Sequence, residues 1–364
     1  MIVTQLHLKN FRCFKQKKID FSAPITLIKG ENGSGKTSIL EALYYACYLR
    51  SFRTHNARDM IALGEHEFFI RARIATNTST TQEHDLRIGN ARDKKLVKLD
   101  GQAITSFKSL MDHYRVIALF EDDLALVKDG PEVRRIFIDQ ALLLLNPDKL
   151  ALFREFRHIL DNRNALLKKY QGRPLADMAS YRIWTLQLWN ISLEVIRVRK
   201  ELLAILEGKI NELLSNFAQE LTIGLTYSAK YELDKEDFTL FERRMDALLT
   251  TELRFGRSMF GAHLDDIMIT YTNKNTRAFV SRGQQKLVVI VLKVALLEQL
   301  TQNRGKTLFI LDDFMTDFDE QRIETLVNLL AQLNTQLIFT SPMCHEVLEG
   351  VLKTSGAAFY TLSD

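Results

Sequence analysis

GENGSGKTS, residues 30–38, determines the fold class, because a strand pattern precedes this loop and a helix pattern follows it. Residues 25–28, ITLI, predict a short buried strand that runs into the loop. Residues 38–49, SILEALYYACYL, predict the helix that leaves it. A loop of the pattern G-x-x-x-x-G-K-[ST] between a strand and a helix is typical of phosphate-binding α/β proteins. The sequence therefore predicts a nucleotide site.

The chemistry of this phosphate loop follows from its residue types. Gly33 and Gly35 let backbone N–H groups wrap around phosphate oxygens, and the helix N-terminus adds its positive end. Lys36 is predicted to reach the β- and γ-phosphates of ATP, and the Thr37 hydroxyl is predicted to bind Mg²⁺. The other residues predicted to contact the nucleotide are Gly30, Glu31, Asn32, Ser34 and Ser38.

A pair of carboxylates completes the predicted site. Residues 308–311, LFIL, predict a buried strand that delivers Asp312 and Asp313 at its carboxyl end. Asp312 is predicted to hold Mg²⁺, and Asp313 to orient or deprotonate the attacking water. Lys36 and Asp313 are therefore the catalytic candidates. About 275 residues separate the two motifs, which indicates an ATPase core that is split in sequence and joined in space.

The middle of the chain between these motifs is predicted to be helical. Residues 148–170 place apolar side chains at helical spacing, and QGRP at 171–174 breaks the pattern. Roughly forty residues from 177 to 217 then continue without proline. Two long helices joined by a short turn predict an antiparallel hairpin.

Shorter strand patterns, at 66–75 and 85–99, precede this helical part, and a second α/β segment follows it. The predicted organisation is thus an α/β core interrupted by an insert. Its parts are a first core part at 1–125, a helical insert at 126–220 and a second core part at 221–364.

The composition is that of an ordinary globular protein. Hydrophobic residues make up 46% and charged residues 26%, which is not the balance of a disordered chain. The longest apolar run, at 287–300, is interrupted by Lys293 and Glu298, and no signal-peptide pattern begins the sequence. Three cysteines without CxxC spacing predict neither a disulfide framework nor a zinc site. We expect a reduced, cytoplasmic protein with no membrane partner.

The SRGQQ segment, residues 281–285, begins an apolar helix pattern and has two interpretations. In the first, Ser281, Gly283 and Gln284 form a second anion-binding nest at a helix N-terminus. The charge of Arg282 would then bind a γ-phosphate, most usefully the one held by another copy of the chain. In the second, Ser281 is only the N-cap of the helix and the glutamine side chains are solvated.

Several stretches together resemble the RecF family, bacterial recombinational-repair ATPases related to SMC proteins and ABC ATPases. The phosphate loop, SRGQQKL (281–287) and LDD with DFD (311–319) occur in the order typical of that family. The resemblance covers residue 2 to about 340. The other matching stretches are LKNFR (8–12), SFRT (51–54), LALVKDGPEVRRIFID (124–139), NRNALLK (162–168) and GAHLDD (261–266).

The resemblance implies an α/β fold, namely an ABC-type, SMC-like P-loop ATPase head that is discontinuous in sequence and carries an inserted α-helical hairpin domain. It implies a weak ATPase that uses ATP and Mg²⁺ and forms an ATP-dependent head-to-head homodimer. In that dimer the SRGQQ segment binds the γ-phosphate held by the opposite subunit. The implied partners are double-stranded and gapped DNA, RecR and, indirectly, RecO. The implied function is a clamp on duplex DNA near single-strand gaps that helps to load recombinase and is released by slow hydrolysis.

Two stretches depart from the family pattern. FEDDL (120–124) stands where SPEDL is usual, and GAHLDD (261–266) stands where GPHRDD is usual. Where transporter ATPases carry a switch histidine after the equivalent of LIFT (337–340), this chain has Thr340 and Ser341. These changes bear on the fine geometry of the site rather than on the fold.

Each cluster of basic residues has two interpretations, a solvated charged face or a contact for nucleic acid, and the resemblance favours DNA as a partner without favouring any one lysine. No aromatic ladder interleaves them, so contacts to backbone phosphates fit better than stacking on single strands. The candidates are Lys9, Arg12, Arg50, Arg53, Lys94 and Lys95.

Two other classes of ATPase remain as alternatives. The first is the ATPase subunit of a membrane transporter, against which stand the missing switch histidine and the long helical insert. The second is an ATPase-linked nuclease of the overcoming-lysogenisation-defect type. That class needs an acidic metal-binding nuclease domain after the ATPase core.

Overall fold

The computed structural model describes residues 2–77, 81–91, 94–104, 110, 114–217, 220–233, 237–272, 274–276, 281–305, 307–313, 315, 318–333, 335–343 and 346–362. The strands are β1 Ile2–Phe11, β2 Phe14–Asp20, β3 Ile25–Lys29, β4 Glu67–Asn77, β5 Thr81–Ala91, β6 Lys94–Leu99, β7 Gln102–Ala103, β8 Val116–Leu119, β9 Ile223–Ser228, β10 Asp266–Tyr271, β11 Lys274–Asn275, β12 Leu308–Leu311, β13 Gln336–Ser341 and β14 Ala358–Thr361. The main helices are α1 Lys36–Tyr48, α2 Pro131–Leu145, α3 Leu150–Lys169, α4 Met178–Phe217, α5 Phe238–Phe255, α6 Arg282–Arg304, α7 Glu320–Ala331 and α8 Glu346–Thr354.

The chain forms two compact units, of which the first is discontinuous in sequence. The first unit combines Met1–Leu124 with Ser281–Asp364, and the second unit is Ala125–Val280. The predicted α/β fold, split in sequence and interrupted by a helical hairpin, is confirmed.

A parallel sheet in the strand order β14-β3-β13-β12-β8 forms the centre of the first unit. Strands β8, β12 and β13 are buried along their whole length, as expected of parallel strands covered on both faces. Because β3, β13 and β12 are adjacent, their carboxyl ends meet at one edge of the sheet. This edge therefore brings together the phosphate loop, Thr340 and Asp312.

An antiparallel sheet in the order β2-β1-β4-β5-β6-β7 belongs to the same unit. Leu8, Ile70, Ile88 and Val97 are register neighbours on its covered face, and all four are buried. The alternate residues of each strand point to the opposite, open face. The sequence predicted one strand over 85–99, whereas the structure has the antiparallel pair β5 and β6 there.

The second unit contains the predicted helical hairpin. Helices α3 and α4 match the predicted helices at 148–170 and 177–217 to within about two residues at each end. Their apolar sides share one core with α5 and with the segment that follows it. Buried members of this core are Phe156, Leu160, Leu188, Val195, Phe241, Met245 and Phe260.

A fully buried ion pair joins α3 to α5. The Arg163 guanidinium donates to both oxygens of the Glu252 carboxylate over 2.9 and 2.7 Å, and neither side chain is exposed. The Tyr181 hydroxyl donates to the same carboxylate over 3.0 Å, and Arg163 also donates to the Ser258 hydroxyl over 2.8 Å. Removing one partner of such a pair costs about 3–5 kcal/mol, so this network fixes how the helices pack.

The second unit extends further along the chain than the predicted insert. The sequence placed the return to the core at residue 221, but residues 221–280 lie in the second unit. The reason is that β9 pairs with β10 along its length, and α5 carries the partner of Arg163. The return to the first unit comes at Ser281, so the SRGQQ segment opens the second part of the core.

No described helix is long and apolar enough to cross a membrane. Cys13 and Cys47 are free thiols, while Cys344 lies outside the described residues.

Candidate nucleotide-binding site

The phosphate loop adopts a backbone conformation that glycine allows and other residues disfavour. Gly33 and Gly35 have φ angles of 89° and 98°, in the left-handed region that side chains disfavour. A Cβ at Gly35 would also lie 2.3 Å from the Phe14 ring and 2.7 Å from the Cys13 Sγ. Glycine is therefore required at position 35 for two reasons, its backbone angle and the close approach of β2.

Lys36 lies inside the loop rather than in solvent. Its side chain is buried, and its ammonium donates to the Gly30 and Glu31 carbonyls over 3.0 and 3.1 Å. The Ser34 hydroxyl is buried as well and has no hydrogen-bond partner among the described residues. A cation and an unpartnered hydroxyl in a glycine loop at a helix N-terminus form a site that fits phosphate oxygens.

The structure joins the phosphate loop to the predicted carboxylate pair. The Thr37 hydroxyl donates to Asp312 Oδ1 over 3.1 Å, although 275 residues separate the two positions. The Thr340 hydroxyl donates to the same oxygen over 2.7 Å. Both hydroxyls and the carboxylate thus converge at the edge where β3, β13 and β12 end.

Thr340 is the site residue whose role the sequence analysis missed. The sequence marks it only as a residue that stands where a transporter ATPase has a histidine. The signal was nevertheless present, since a polar residue at the carboxyl end of a buried parallel strand lies beside its neighbour's carboxyl end. Ser341, the next residue, has a buried hydroxyl without a hydrogen-bond partner among the described residues.

Asp313 has an unusual backbone conformation, which Thr340 at the end of the adjacent strand supports. Its φ angle is +46°, a conformation that is uncommon for residues other than glycine. Its N–H donates to the Thr340 hydroxyl over 3.0 Å, and its Oδ1 lies 3.4 Å from that hydroxyl. The strand end is therefore turned sharply, and such strained positions cluster at functional sites.

The oxygen ligands for a magnesium ion are present but incomplete without a nucleotide. Thr37 and Asp312 supply a hydroxyl and a carboxylate oxygen, which are the ligands that Mg²⁺ prefers. Among the described residues, no group of three or more His, Cys, Asp or Glu side chains could hold a metal ion. The residues thus fit an ion that completes its coordination with phosphate oxygens and water.

The SRGQQ segment begins helix α6 with a complete capping box. The Ser281 hydroxyl accepts from the Gln284 N–H over 3.4 Å, and the Ser281 N–H donates to Gln284 Oε1 over 2.8 Å. The N-cap role of Ser281 is therefore observed, with Gln284 bonded to the cap rather than solvated. In this structure the cap uses two of the groups that the anion-nest interpretation assigned to a ligand.

Arg282 lies on the surface and contacts the FEDDL stretch. Its guanidinium donates to Glu121 Oε1 over 2.6 Å, with about 61% of the arginine and 50% of the glutamate side chain exposed. Lys286, which is almost fully buried, lies 3.2 Å from Glu121 Oε2. Glu121 thus contacts two cations at the start of α6, at a position where the family pattern has proline.

Two of the six predicted DNA contacts converge on a buried carboxylate. Arg12 donates to both oxygens of Glu41 over 2.8 and 2.6 Å, and Glu41 is fully buried on α1. Arg53 lies 3.7 Å from the same carboxylate, which also accepts from the Ser51 hydroxyl. Ser51 and Arg53 therefore hold the SFRT stretch against α1, and Arg12 holds the end of β1 to the same carboxylate, which sequence clustering could not show.

The other four lie at separate places of the first unit. Lys95 faces α1, where it donates to the Leu49 carbonyl over 2.9 Å, and burial lowers the pKa of its ammonium. Arg50 is exposed just after α1. Lys9 and Lys94 are exposed on the open face of the antiparallel sheet, opposite Leu8 and Val97.

Sequence comparison assigns the chain to a family. The model of the RecF/RecN/SMC N-terminal domain matches residues 2–360. The DNA replication and repair protein RecF of Desulfitobacterium hafniense (strain DSM 10664 / DCB-2) is 30% identical over 344 residues, 93% of each chain. The protein of the same name from Bacillus mycoides (strain KBAB4) is 30% identical over 339 residues, 91% of this chain and 89% of that one.

Comparison of folds agrees with this assignment. A solved structure of the recombination mediator protein RecF-ATPrS in the RecFOR pathway has a TM-score of 0.81 at 23% identity, covering 95% of this chain and 93% of that one. The Smc head domain of Pyrococcus furiosus, bound to the C-terminal domain of ScpA, has a TM-score of 0.55 at 15% identity, covering 96% and 91%. By its sequence and its fold, the chain belongs to the RecF family within the RecF/RecN/SMC group.

Proposed function

We propose that the protein is an ATP-dependent DNA-binding protein of recombinational repair. ATP joins two heads into a dimer, the dimer clamps duplex DNA near single-strand gaps, and slow ATP hydrolysis releases it. The clamp helps to load recombinase, acting with RecR and, indirectly, with RecO in the cytoplasm. Membership of the RecF family favours this function over the membrane-transporter alternative.

The single observation that carries the proposal is the convergence of Thr37, Asp312 and Thr340 beside the phosphate loop. A hydroxyl from the loop and a carboxylate from a distant strand lie 3.1 Å apart, close enough for both to bind one metal ion beside a nucleotide. The relatives named as DNA replication and repair proteins supply the biological context.

In this proposal the loop binds and orients the nucleotide. Lys36 exchanges its two carbonyl partners for β- and γ-phosphate oxygens, and the Ser34 hydroxyl gains the partner it lacks. Thr37 and Asp312 would hold Mg²⁺, which would offset the negative charge that develops on the phosphates. Asp313 accepts the proton of the attacking water, while Thr340 fixes its backbone.

The second half of each site comes from the other subunit. A two-fold dimer buries the same surface of both chains, so each SRGQQ segment can face the partner's nucleotide. Arg282 supplies charge to the γ-phosphate, and the N–H of Gly283 lies in the first helical turn, where N–H groups have no intrahelical acceptor. Ser281 and Gln284 hold that turn in shape through the capping box.

DNA binding is proposed for the open face of the antiparallel sheet. Lys9 and Lys94 are exposed there, and Arg71 and Arg87 lie on the same face, sharing the carboxylate of Asp85. A sheet face with more cations than anions suits phosphate contacts without base readout. Arg12, Arg53 and Lys95, which contact α1 or residues beside it, then support this surface, and Arg50 remains a candidate for direct contact.

The test is fluorescence anisotropy of a labelled gapped duplex, titrated with protein in ATP, in ADP and without nucleotide. The proposal expects tight binding in ATP only, because the nucleotide acts as a ligand that stabilises the DNA-binding dimer. Equal binding in all three conditions would contradict the ATP-gated clamp. No binding in any condition would contradict DNA as the partner.

A further inference from the structure

A second surface of the protein, in the helical unit, has the charge of a nucleic-acid contact. Helices α3 and α5 end and helix α4 begins at this place. Five basic side chains surround the three helix ends, and all five are exposed. We call this surface the helix-end patch; its residues are Lys168, Lys169, Arg173, Arg254, Phe255 and Arg257.

Main-chain contacts make the helix-end patch one continuous surface. The Gly172 N–H donates to the Leu253 carbonyl over 3.2 Å, and the Gln171 side chain donates to the Arg254 carbonyl over 3.1 Å. A Cβ at Gly256 would lie 3.5 Å from the Lys168 Cα. The turn between α3 and α4 is therefore packed directly on the end of α5, and the basic side chains of both segments are neighbours.

The patch is not neutralised by carboxylates. Among the described residues none of its five cations forms an ion pair within 4 Å, whereas Arg157, Arg182 and Arg197 of the same unit are each paired with an acid. The acid nearest in sequence to its first segment is Asp177, which caps the Ser180 N–H and has its pKa lowered by that backbone hydrogen bond, with a contribution from Lys169. The patch thus has a net positive charge.

Stabilisation of helix ends does not account for all of this charge. Lys168, Lys169 and Arg254 lie in last turns, where cations interact well with the helix carbonyls. Arg173 and Arg257 lie beyond both helices, so this reason does not apply to them. Phe255 is 49% exposed between the guanidiniums of Arg254 and Arg257, whose Cζ atoms lie 5.6 and 5.9 Å from the ring centroid.

We infer that the helix-end patch binds DNA at a single-strand gap, with the five cations on backbone phosphates and Phe255 on a base of the unpaired strand. Protein–protein interfaces are depleted of lysine at their centre, whereas arginine, lysine and an exposed aromatic ring suit a nucleic-acid strand. The inference rests on the proposed function, because it takes DNA as the ligand, and it adds a contact outside the ATPase core.

The test compares the salt dependence of DNA binding in ATP for three forms of the full-length protein. One is unchanged, one carries Arg173→Gln, Arg254→Gln and Arg257→Gln, and the control carries Arg157→Gln, Arg182→Gln and Arg197→Gln. Each phosphate contact contributes about 0.9 to the slope of log affinity against log salt. We expect the patch variant to lose roughly 2–3 from this slope, and the control to keep the slope of the unchanged protein.

Phe255→Ala provides a second measurement that removes no charge. It is expected to weaken binding roughly fivefold or more, as loss of base–aromatic contact does, with the salt slope unchanged. Equal slopes for the patch variant, the control and the unchanged protein would overturn the inference while leaving ATP-dependent DNA binding intact. Failure of the unchanged protein to bind DNA would instead contradict the proposed function itself. Unchanged affinity of Phe255→Ala would remove the ring from the contact.

Discussion

The phosphate loop and the SRGQQ segment both lead into a helix, but they satisfy the helix N-terminus in opposite ways. At α1 no described side chain caps the helix, and Lys36 and Thr37 bond to carbonyls and to a carboxylate from another strand. At α6 the cap is closed by Ser281 and Gln284 themselves, and Arg282 pairs with Glu121 on the surface. The N-terminus of α1 is therefore open to a ligand, whereas the N-terminus of α6 is capped by side chains of its own segment.

This difference indicates which half of the proposed site binds the nucleotide within one chain and which half is presented to a second chain. An uncapped helix start leaves its first N–H groups for a ligand, so the loop can bind a nucleotide within one chain. A capped start keeps its shape without a ligand and can be presented to a second molecule. Four substitutions test the contrast, with turnover, nucleotide binding and dimer formation measured separately.

Asp313→Asn is expected to have the largest effect, on ATP turnover and on the release of DNA that depends on it. Removing a general base typically lowers the rate about 100-fold or more, and the amide keeps the size of the side chain. ATP binding should stay within about twofold, and the DNA-bound dimer should live longer. Phosphate release and dissociation from labelled DNA measure the two consequences. An unchanged rate together with an unchanged lifetime would exclude this role for Asp313.

Lys36→Ala is expected to weaken ATP binding roughly 10- to 100-fold, because it removes a charge-assisted contact to the phosphates. Dimer formation should fail with it at ordinary ATP concentrations. Binding of a fluorescent ATP analogue is the measurement. Lys29→Ala is the matched control, since Lys29 directly precedes the loop but pairs with Glu349 at 2.9 Å. Comparable losses in both variants would indicate a general effect of charge rather than a phosphate contact.

Arg282→Ala is expected to separate the two halves of the site. ATP binding by the single chain should remain, while ATP-dependent dimerisation weakens roughly tenfold or more, since each dimer loses two such contacts. Light scattering in ATP measures the dimer, and Arg197→Ala, which removes an exposed and paired arginine elsewhere, is the control. If nucleotide binding fell as much as dimerisation, the SRGQQ segment would belong to the nucleotide site of its own chain.

Glu121→Gln is expected to have the smallest effect. An exposed ion pair is worth about 1 kcal/mol or less, so releasing Arg282 should lower the ATP concentration needed for dimerisation by no more than about fivefold. Asp122→Asn makes the same change of charge at the next, exposed residue and should have no comparable effect. A weaker dimer in Glu121→Gln would mean that the glutamate orients Arg282 instead of competing for it.

Local patterns predicted the parts of the site that depend on neighbouring residues. The loop at 30–38, the strand before Asp312 and the two long helices follow from glycine spacing and apolar periodicity, and the structure has all of them. Such features are encoded within about ten to forty residues, so one sequence is enough to read them.

Features that depend on tertiary pairing could not be predicted in this way. The hydrogen bond between Thr340 and Asp312 forms because β13 lies beside β12. The hydrogen bond between Arg12 and Glu41 forms because α1 places Glu41 next to the end of β1. The boundary at Ser281 instead of 221 depends on β9 pairing with β10 and on a buried arginine that only packing reveals. Clustering of basic residues along the sequence does not show which carboxylates those residues contact in the folded protein.

The position of β3 in the parallel sheet has a consequence for biosynthesis. Its neighbours on both sides, β13 and β14, lie more than 300 residues later in the chain, with Leu337 beside Ile25 and Ala358 beside Thr26. While the ribosome is still synthesising the helical unit, β3 and the phosphate loop that follows it lack both neighbouring strands of the parallel sheet. The nascent first segment therefore keeps its apolar strand exposed, and accessible to chaperones, until β13 and β14 have emerged from the ribosome.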